Sequence, residues 1–376
     1  MKISRAILPQ IREYIGLNKV LVITGARRVG KTHLLGELVD NYEGNLVHLN
    51  GDLPETAQLL GAKNVSSYKR LIGNAKLLVI DEAQVIPDIG KILKIIIDHF
   101  KQLTIIATGS SSFDLVNKTG EPLTGRQVQF HLYPVAQLEL TVHEPFLDTV
   151  QNLAGRLVFG AYPEALNLSS DREKKEYLEE ITTSYLLKDI LLYEQVKNSH
   201  KMLQLLQLIS YQVGQEVSND ELGKQLGLKR DTIARYLDLF SKIFVIYRLN
   251  GYSSNLRKEV VKSSKWYFVD NGIRNAIINN FNNLSARNDV GQLWENYLMS
   301  ERIKRNVYNR LTVRPHFWRT YDRQEIDLVE EANGKLAAFE FKWRKEKTKA
   351  PIFFTKNYPQ ASFEVITKEN YLDFID

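Results

Sequence analysis

The chain has 376 residues, with 50 Lys and Arg against 44 Asp and Glu, a net charge of only +6, and no cysteine. The lack of cysteine excludes disulfides, zinc fingers, cysteine nucleophiles and iron–sulfur clusters, while the mild basic excess permits an anionic partner without demanding one. No apolar run reaches the ~18 residues of a membrane span, and Met1-Lys2-Ile3-Ser4-Arg5 leads into Ala6-Ile7-Leu8-Pro9 rather than a signal core. The expectation is a cytoplasmic protein with no membrane partner.

In chain order, Val20–Thr24 reads as a buried strand, Gly30–Asp40 as a helix, and Leu46–Leu49 and Lys76–Ile80 as further strands. Lys91–Phe100 is helical, and strands are expected at Leu103–Ala107 and Gln127–Leu132. Strands separated by helices imply a parallel sheet covered on both faces. From about Pro134 the texture changes: helices at Glu173–Glu194 and Met202–Val213, a tight pair of short helices, then strands around Phe244–Arg248 and Trp266–Val269. A third texture starts near Ser285, with a helix through Trp294 and strands at His316–Thr320, Glu325–Glu330 and Leu336–Lys342. The expected division is 1–134, 135–284 and 285–376.

Gly25-Ala26-Arg27-Arg28-Val29-Gly30-Lys31-Thr32 matches G-x-x-x-x-G-K-[ST] in full, after a strand and at the start of a helix. Glycines let backbone N–H groups converge on phosphates, the helix N-terminus favours negative charge, Lys31 can reach the β- and γ-phosphates, and the Thr32 hydroxyl can ligate magnesium. A second apolar strand ends in Asp81-Glu82, at the carboxyl edge where ligands gather in open parallel sheets. Asp81 is placed to hold the magnesium and Glu82 to polarise the attacking water. ATP and Mg2+ are therefore the expected cofactors. The Leu103–Ala107 strand runs on to Thr108-Gly109-Ser110-Ser111-Ser112, where a hydroxyl can sense the γ-phosphate, or Ser111 or Ser112 can cap a helix.

Taken together, Gly25–Thr32, Asp81-Glu82, the Thr108–Ser111 tip and Leu123-Thr124-Gly125-Arg126 resemble AAA-type P-loop ATPases of the archaeal-type group. The resemblance implies a nucleotide-sensing role for Ser110 and an arginine finger for Arg126, reaching a neighbour's nucleotide in a homo-oligomer. No second-sensor arginine is evident.

Further along, Ser218 and Glu221 stand in capping-box spacing, Leu222 and Leu226 form an apolar stripe, Gly227 breaks the helix, and Ile233, Leu237 and Phe240 face inward on the next. This is a helix-turn-helix layout followed by wing strands, whose second helix enters a DNA major groove. Between Lys229 and Lys265 lie nine basic and three acidic residues, a local excess above the chain average. Lys229, Arg230, Thr232 and Arg235 are the DNA-contact candidates, although winged helices also serve as ATPase lids or protein-binding modules.

In the last third, Glu340-Phe341-Lys342 puts Glu340 and Lys342 on one face of a strand and Phe339 and Phe341 on the other. With Asp327 on the preceding hairpin strand and Glu295 on the preceding helix, the set resembles the PD-(D/E)xK nuclease core. That resemblance implies a magnesium held by Glu295, Asp327 and Glu340, with Lys342 as the catalytic lysine. The basic residues Arg344, Lys345, Lys347 and Lys349 follow closely. The whole layout resembles a widespread prokaryotic family: an α/β AAA-type P-loop core, a helical and winged-helix part, and a restriction-endonuclease-like α/β end. The function expected is a DNA-associated ATPase whose carboxy-terminal module binds and could cleave DNA, branched or junction DNA included. The alternative is a nucleotide-switched signalling or scaffold ATPase whose later parts bind protein and do not cut.

Overall fold

Apolar runs become strands wherever a five-residue stretch is covered on both sides. β1 (Val20–Thr24), β2 (Leu46–Asn50), β3 (Leu77–Asp81), β4 (Thr104–Gly109) and β5 (Gln127–His131) form one parallel sheet in the order β2-β3-β4-β1-β5. The three inner strands are buried at every position, and the edge strands β2 and β5 are only partly covered. That is the difference expected between central and edge positions of an open parallel sheet. The helices α1 (Lys31–Asp40) and α2 (Ile89–His99) turn Leu34, Leu35 and Leu38, and Ile92, Leu93, Ile96 and Ile97, inward. Their three- and four-residue spacing makes one apolar face.

The computed structural model describes the chain except residues 1–2, 63, 111–122, 124, 187–198, 253–263, 321, 323 and 345–347. It divides into two compact units: residues 1–134 with Lys242–Phe244, and residues 135–241 with 245–376. The parallel sheet belongs to the first. Two short helices there, Pro54–Gly61 and Val65–Ile72, were not expected from the sequence; the second is capped by Asn64, whose side chain accepts from the Ser67 N–H at 2.8 Å.

The second unit contains α3 (Ser199–Tyr211), β6 (Glu216–Val217), α4 (Asn219–Leu226), α5 (Arg230–Lys242), β7 (Ile246–Gly251) and β8 (Ser264–Phe268), then α6 (Val290–Tyr308) and the strands β9 (Arg314–Arg319), β10 (Glu325–Ala332), β11 (Lys335–Phe341) and β12 (Ser362–Ile366). All seven strands share one sheet, ordered β12-β11-β10-β9-β7-β8-β6. The strands at the two ends of the unit are thus continuous, because β7 pairs in parallel with β9 through Asn250 and Gly251. The helix expected over Glu173–Glu194 is seen as Asp171–Glu180 with a wider-wound turn at Ile181–Leu186; residues 187–194 lie outside the described part. No helix among the described residues is long and apolar enough to cross a membrane.

Candidate functional site

All five parallel strands end at one edge of their sheet. Thr24 pairs with Gly109 and His131, and Asn50 with Asp81. The P-loop leaves β1 at this edge. Gly25 is required there, since a Cβ on it would fall 2.2 Å from the Leu132 carbonyl oxygen. Ala26 and Val29 are buried, Arg27 is half-buried, Arg28 is exposed with φ 65°, and Gly30 opens α1 with φ 98°. The Lys31 ammonium, 4% exposed, donates to the carbonyls of Gly25 and Ala26 at 3.0 Å each and so lies across the mouth of the loop. Behind it, the buried Arg5 guanidinium donates to the Val29 carbonyl at 2.7 Å and the Tyr133 carbonyl at 2.6 Å, pinning the loop to the sheet edge.

The strand order puts β4 between the P-loop strand and the acidic strand, and β4 supplies the link. The Thr32 hydroxyl donates to Asp81 Oδ2 at 2.7 Å, and the Thr108 hydroxyl donates to Asp81 Oδ1. Thr108 Oγ1 in turn accepts from the Glu82 N–H at 3.0 Å. Glu82 stands in the left-handed region at φ 48°, and Gln84 Nε2 donates both to its carboxylate and to Ser110 Oγ, the latter at 3.4 Å. Ser110 therefore meets Glu82 through Gln84, while Thr108 touches Asp81 directly. Alternation on β4 puts Thr108 and Ser110 on one face, a signal available in the sequence but assigned there to Ser110 alone. Ser111, Ser112 and Thr124 lie outside the described residues.

One residue at this edge had no sequence signal. His131, at the tip of β5, has Nδ1 3.3 Å from the Thr24 hydroxyl, and its ring packs 4.1 Å from the Phe244 ring. Burial, and then the nearby Lys31 ammonium, push its pKa down to about 3, so the ring is neutral at physiological pH.

Arg126 lies elsewhere. It precedes β5, whose Gln127 pairs with Val20 at the start of β1. A five-residue strand at ~3.3 Å per residue separates it by roughly 16 Å from the P-loop edge. Its guanidinium pairs with Asp98 of α2, both about one-third to two-fifths exposed (41% and 36%). It does not join the other candidates.

The donors fit a magnesium–nucleotide: a glycine-framed loop, a buried ammonium at its mouth, a hydroxyl and a carboxylate in mutual contact, and a second carboxylate beside them. Residues 17–141 match the family described as an AAA domain. The amino-terminal unit is an AAA-type ATPase domain. Residues 150–284 and 290–371 beyond this ATPase domain match two families each described as a domain of unknown function, DUF8612 and DUF4143. An uncharacterized protein of Mycobacterium tuberculosis is 26% identical over 337 residues, which cover 89% of this chain and 72% of that one. Among solved structures, a signal-transduction ATPase with numerous domains and a tetratricopeptide sensor, from Pyrococcus horikoshii, is 14% identical with a TM-score of 0.32. That alignment covers 83% of this chain and 48% of the other, so the chain spans about half the length of that structure. A Thermotoga maritima RuvB variant is 16% identical with a TM-score of 0.33, covering 65% of this chain and 90% of its own.

In the second unit, helix α5 turns Ile233, Leu237 and Phe240 inward, as its periodicity implies, and leaves Lys229, Arg230 and Arg235 exposed and Thr232 half-buried. Gly227 ends α4 at φ 64°, with the Leu228 N–H on the Gly223 carbonyl at 2.8 Å. Arg230 lies 3.6 Å from Asp220, an exposed pair worth about 0–1 kcal/mol and readily exchanged. The Arg235 guanidinium rests 5.7 Å over the Tyr236 ring.

The carboxy-terminal candidates are gathered differently from the expectation. Phe339 and Phe341 are buried and pack on Phe374, at 4.9 and 5.6 Å, so Glu340 and Lys342 do share the other face, 3.0 Å apart. Asp327 Oδ2 accepts from the Phe341 N–H at 2.8 Å. Glu295 accepts from the Tyr267 hydroxyl at 2.6 Å; a Cβ at Gly214, whose φ is +73°, would stand 2.6 Å from its Oε1. Between the acids lies a residue the sequence did not single out. Lys265 of β8 is 1% exposed, pairs with Glu325, and has its ammonium 3.8 Å from Glu295. Burial alone would depress its pKa, but Glu295, Asp327 and Glu325 outweigh burial and hold it above the ordinary value. Asp327 is pushed well up, by burial first and then by Glu295 and Glu340. Among the described residues no group of three or more carboxylates and histidines is arranged to hold a metal ion. Where the nuclease resemblance implied a magnesium, the structure brings a lysine.

Proposed function

We propose that the chain is a magnesium-dependent ATPase that acts on DNA, built as an ATPase core (1–134), a helical and winged-helix part (135–284) and a nuclease-like end (285–376) that binds without cutting. The observation that carries the ATPase reading is the Thr32–Asp81–Thr108 chain of contacts, which ties the P-loop to the acidic strand with Glu82 beside it. Lys31 and the P-loop amides from Gly25 to Thr32 would hold the phosphates, and Thr32 and Asp81 the metal. Magnesium, when bound, neutralises charge on the phosphates. Glu82 would orient and polarise the attacking water, and Gln84 relates its position to Ser110 at the tip of β4.

Arg126 stands too far from its own P-loop to serve it, so a catalytic role requires a neighbouring copy. Arg126→Ala is then expected to leave nucleotide affinity nearly unchanged and to lower turnover, by about 10³-fold or more if it is a full arginine finger. Mixing it with a Lys31→Ala chain should restore part of the rate, because each lends what the other lacks. An unchanged rate in a strictly monomeric enzyme removes the finger and the oligomer from the proposal.

Support for DNA comes from the element order α3-β6-α4-α5-β7-β8, with β6 and β7 flanking β8 antiparallel, which is the order of a winged helix. The exposed Lys229, Arg230 and Arg235 then lie at or near the start of the helix that enters a major groove. Duplex affinity should fall steeply with salt, and Arg230→Ala with Arg235→Ala should reduce the salt slope by about one per lost phosphate contact. A titration at several salt concentrations measures this. A chain that ignores duplex DNA even at low salt belongs instead to the nucleotide-switched scaffold reading.

A further inference from the structure

A groove of 460 Å³ in the second unit has no part in the reading above. One wall is the segment leading into α6, with Ser285, Asn288 and Gly291; the other is the chain just after β11, with Lys342, Trp343 and Arg344. No carboxylate is among its described lining residues. Arg287, also in the wall, is committed to Asp289 at 2.8 Å and to Asn275 at 2.9 Å and acts as a fixed post. Lys342 is shared with Glu340, whereas Arg344 is exposed at the rim.

Trp343 gives the groove its second character. Its indole meets Trp294 edge-on at 5.5 Å between centroids, which buttresses the ring, and the Lys368 ammonium lies 4.6 Å from its centroid. A held indole with cations around it recognises a flat ring joined to a negatively charged group. We infer that this groove is a nucleotide-binding site, taking a base against Trp343 and its phosphate against Arg344. Pockets for small ligands run from about 300 to 1,000 Å³, so this one has room for a nucleotide or two. The occupant is a single nucleotide unit, either free or at the end of a single strand. The strand form rests on the DNA reading above; the free form does not.

The test uses the full-length chain without ATP, a labelled ten-thymidine strand with a 5′ phosphate, thymidine monophosphate as competitor, and a duplex of mixed sequence. Stacking on one aromatic ring contributes ~10- to 100-fold in affinity for single strands. Trp343→Ala with Arg344→Ala should therefore weaken the strand about 10- to 100-fold while ATP turnover and duplex affinity stay as they were. Trp343→Phe should recover most of the loss, which a merely misfolded variant would not. If monophosphate competes as tightly as unlabelled strand, the groove takes free nucleotide; if the strand is much tighter, it takes nucleic acid. Equal strand and monophosphate affinity in wild type and double variant overturns the site, as does wild-type chain that binds neither. Loss of duplex binding in Arg230→Ala with Arg235→Ala, read in the same titrations, belongs to α5 and leaves the groove untouched.

Discussion

Lys31→Ala is expected to weaken nucleotide binding and to abolish turnover, whereas Glu82→Gln keeps nucleotide bound and stops hydrolysis. The split follows from where the two side chains stand. The Lys31 ammonium is buried and held on two P-loop carbonyls at 3.0 Å, so it is already placed at the mouth of the phosphate cradle and needs little reorganisation to serve there. Deleting one preorganised charge stabiliser typically costs on the order of 10²- to 10³-fold in rate. Glu82 is held apart from that role: its carboxylate is bound by Gln84, and its backbone at φ 48° by hydrogen bonds from its N–H to Asp81 and Thr108. Glutamine has the same shape and keeps that backbone, but it lacks the charge that polarises water. A fluorescent-nucleotide titration beside a phosphate-release assay separates the two effects. Wild-type turnover by Lys31→Ala would remove this site from the reaction altogether.

Much of the ATPase domain is legible in the sequence because its inner strands are buried on both faces. Val20–Ile23 and Leu77–Ile80 read as unbroken apolar runs for that reason, and the P-loop follows closely after one of them. The order of the strands is not local information: β4 comes between β1 and β3 through long-range pairing, and only that placement shows Thr108, rather than Ser110, on Asp81. Phe244 reads as the start of a strand, yet it adopts φ 61° in a turn whose ring rests on His131, a contact between residues 113 positions apart. β12 was missed because it is short and lies at the sheet edge, where Glu364 alternates with half-covered residues. Lys265 was missed for the opposite reason. A lysine in Ser264-Lys265-Trp266 looks like the polar margin of a wing, and nothing nearby in sequence announces that carboxylates from α6 and β10 will bury it.

That lysine supports the second large prediction. Lys265→Met should destabilise the folded chain by about 3–5 kcal/mol, the usual cost of stripping one partner from a buried charge group. The loss is not of packing, since methionine nearly matches the stem length; it is of an ammonium within 4 Å of both Glu295 and Glu325. Burial, and repulsion from Glu325 and Glu340, already raise the Glu295 pKa, and Asp327 is raised further. A carboxyl with a folded pKa above its unfolded one binds more protons in the folded state across that window, so its contribution falls as pH rises. Removing the cation steepens the fall, and the variant should lie closer to wild type at pH 5 than at pH 8 in urea unfolding. Adding Glu295→Gln to Lys265→Met should recover part of the loss at pH 8, because it removes one of the stranded negative charges. The same variant tests the metal. With the ammonium gone, manganese should raise the unfolding midpoint of Lys265→Met while leaving wild type unmoved, since the wild-type cluster carries its own cation. Magnesium-dependent cutting of linear, single-stranded or branched DNA by the wild-type chain, lost in Asp327→Ala, would show that the acids hold a metal despite Lys265, and the nuclease role of Glu295, Asp327, Glu340 and Lys342 would return.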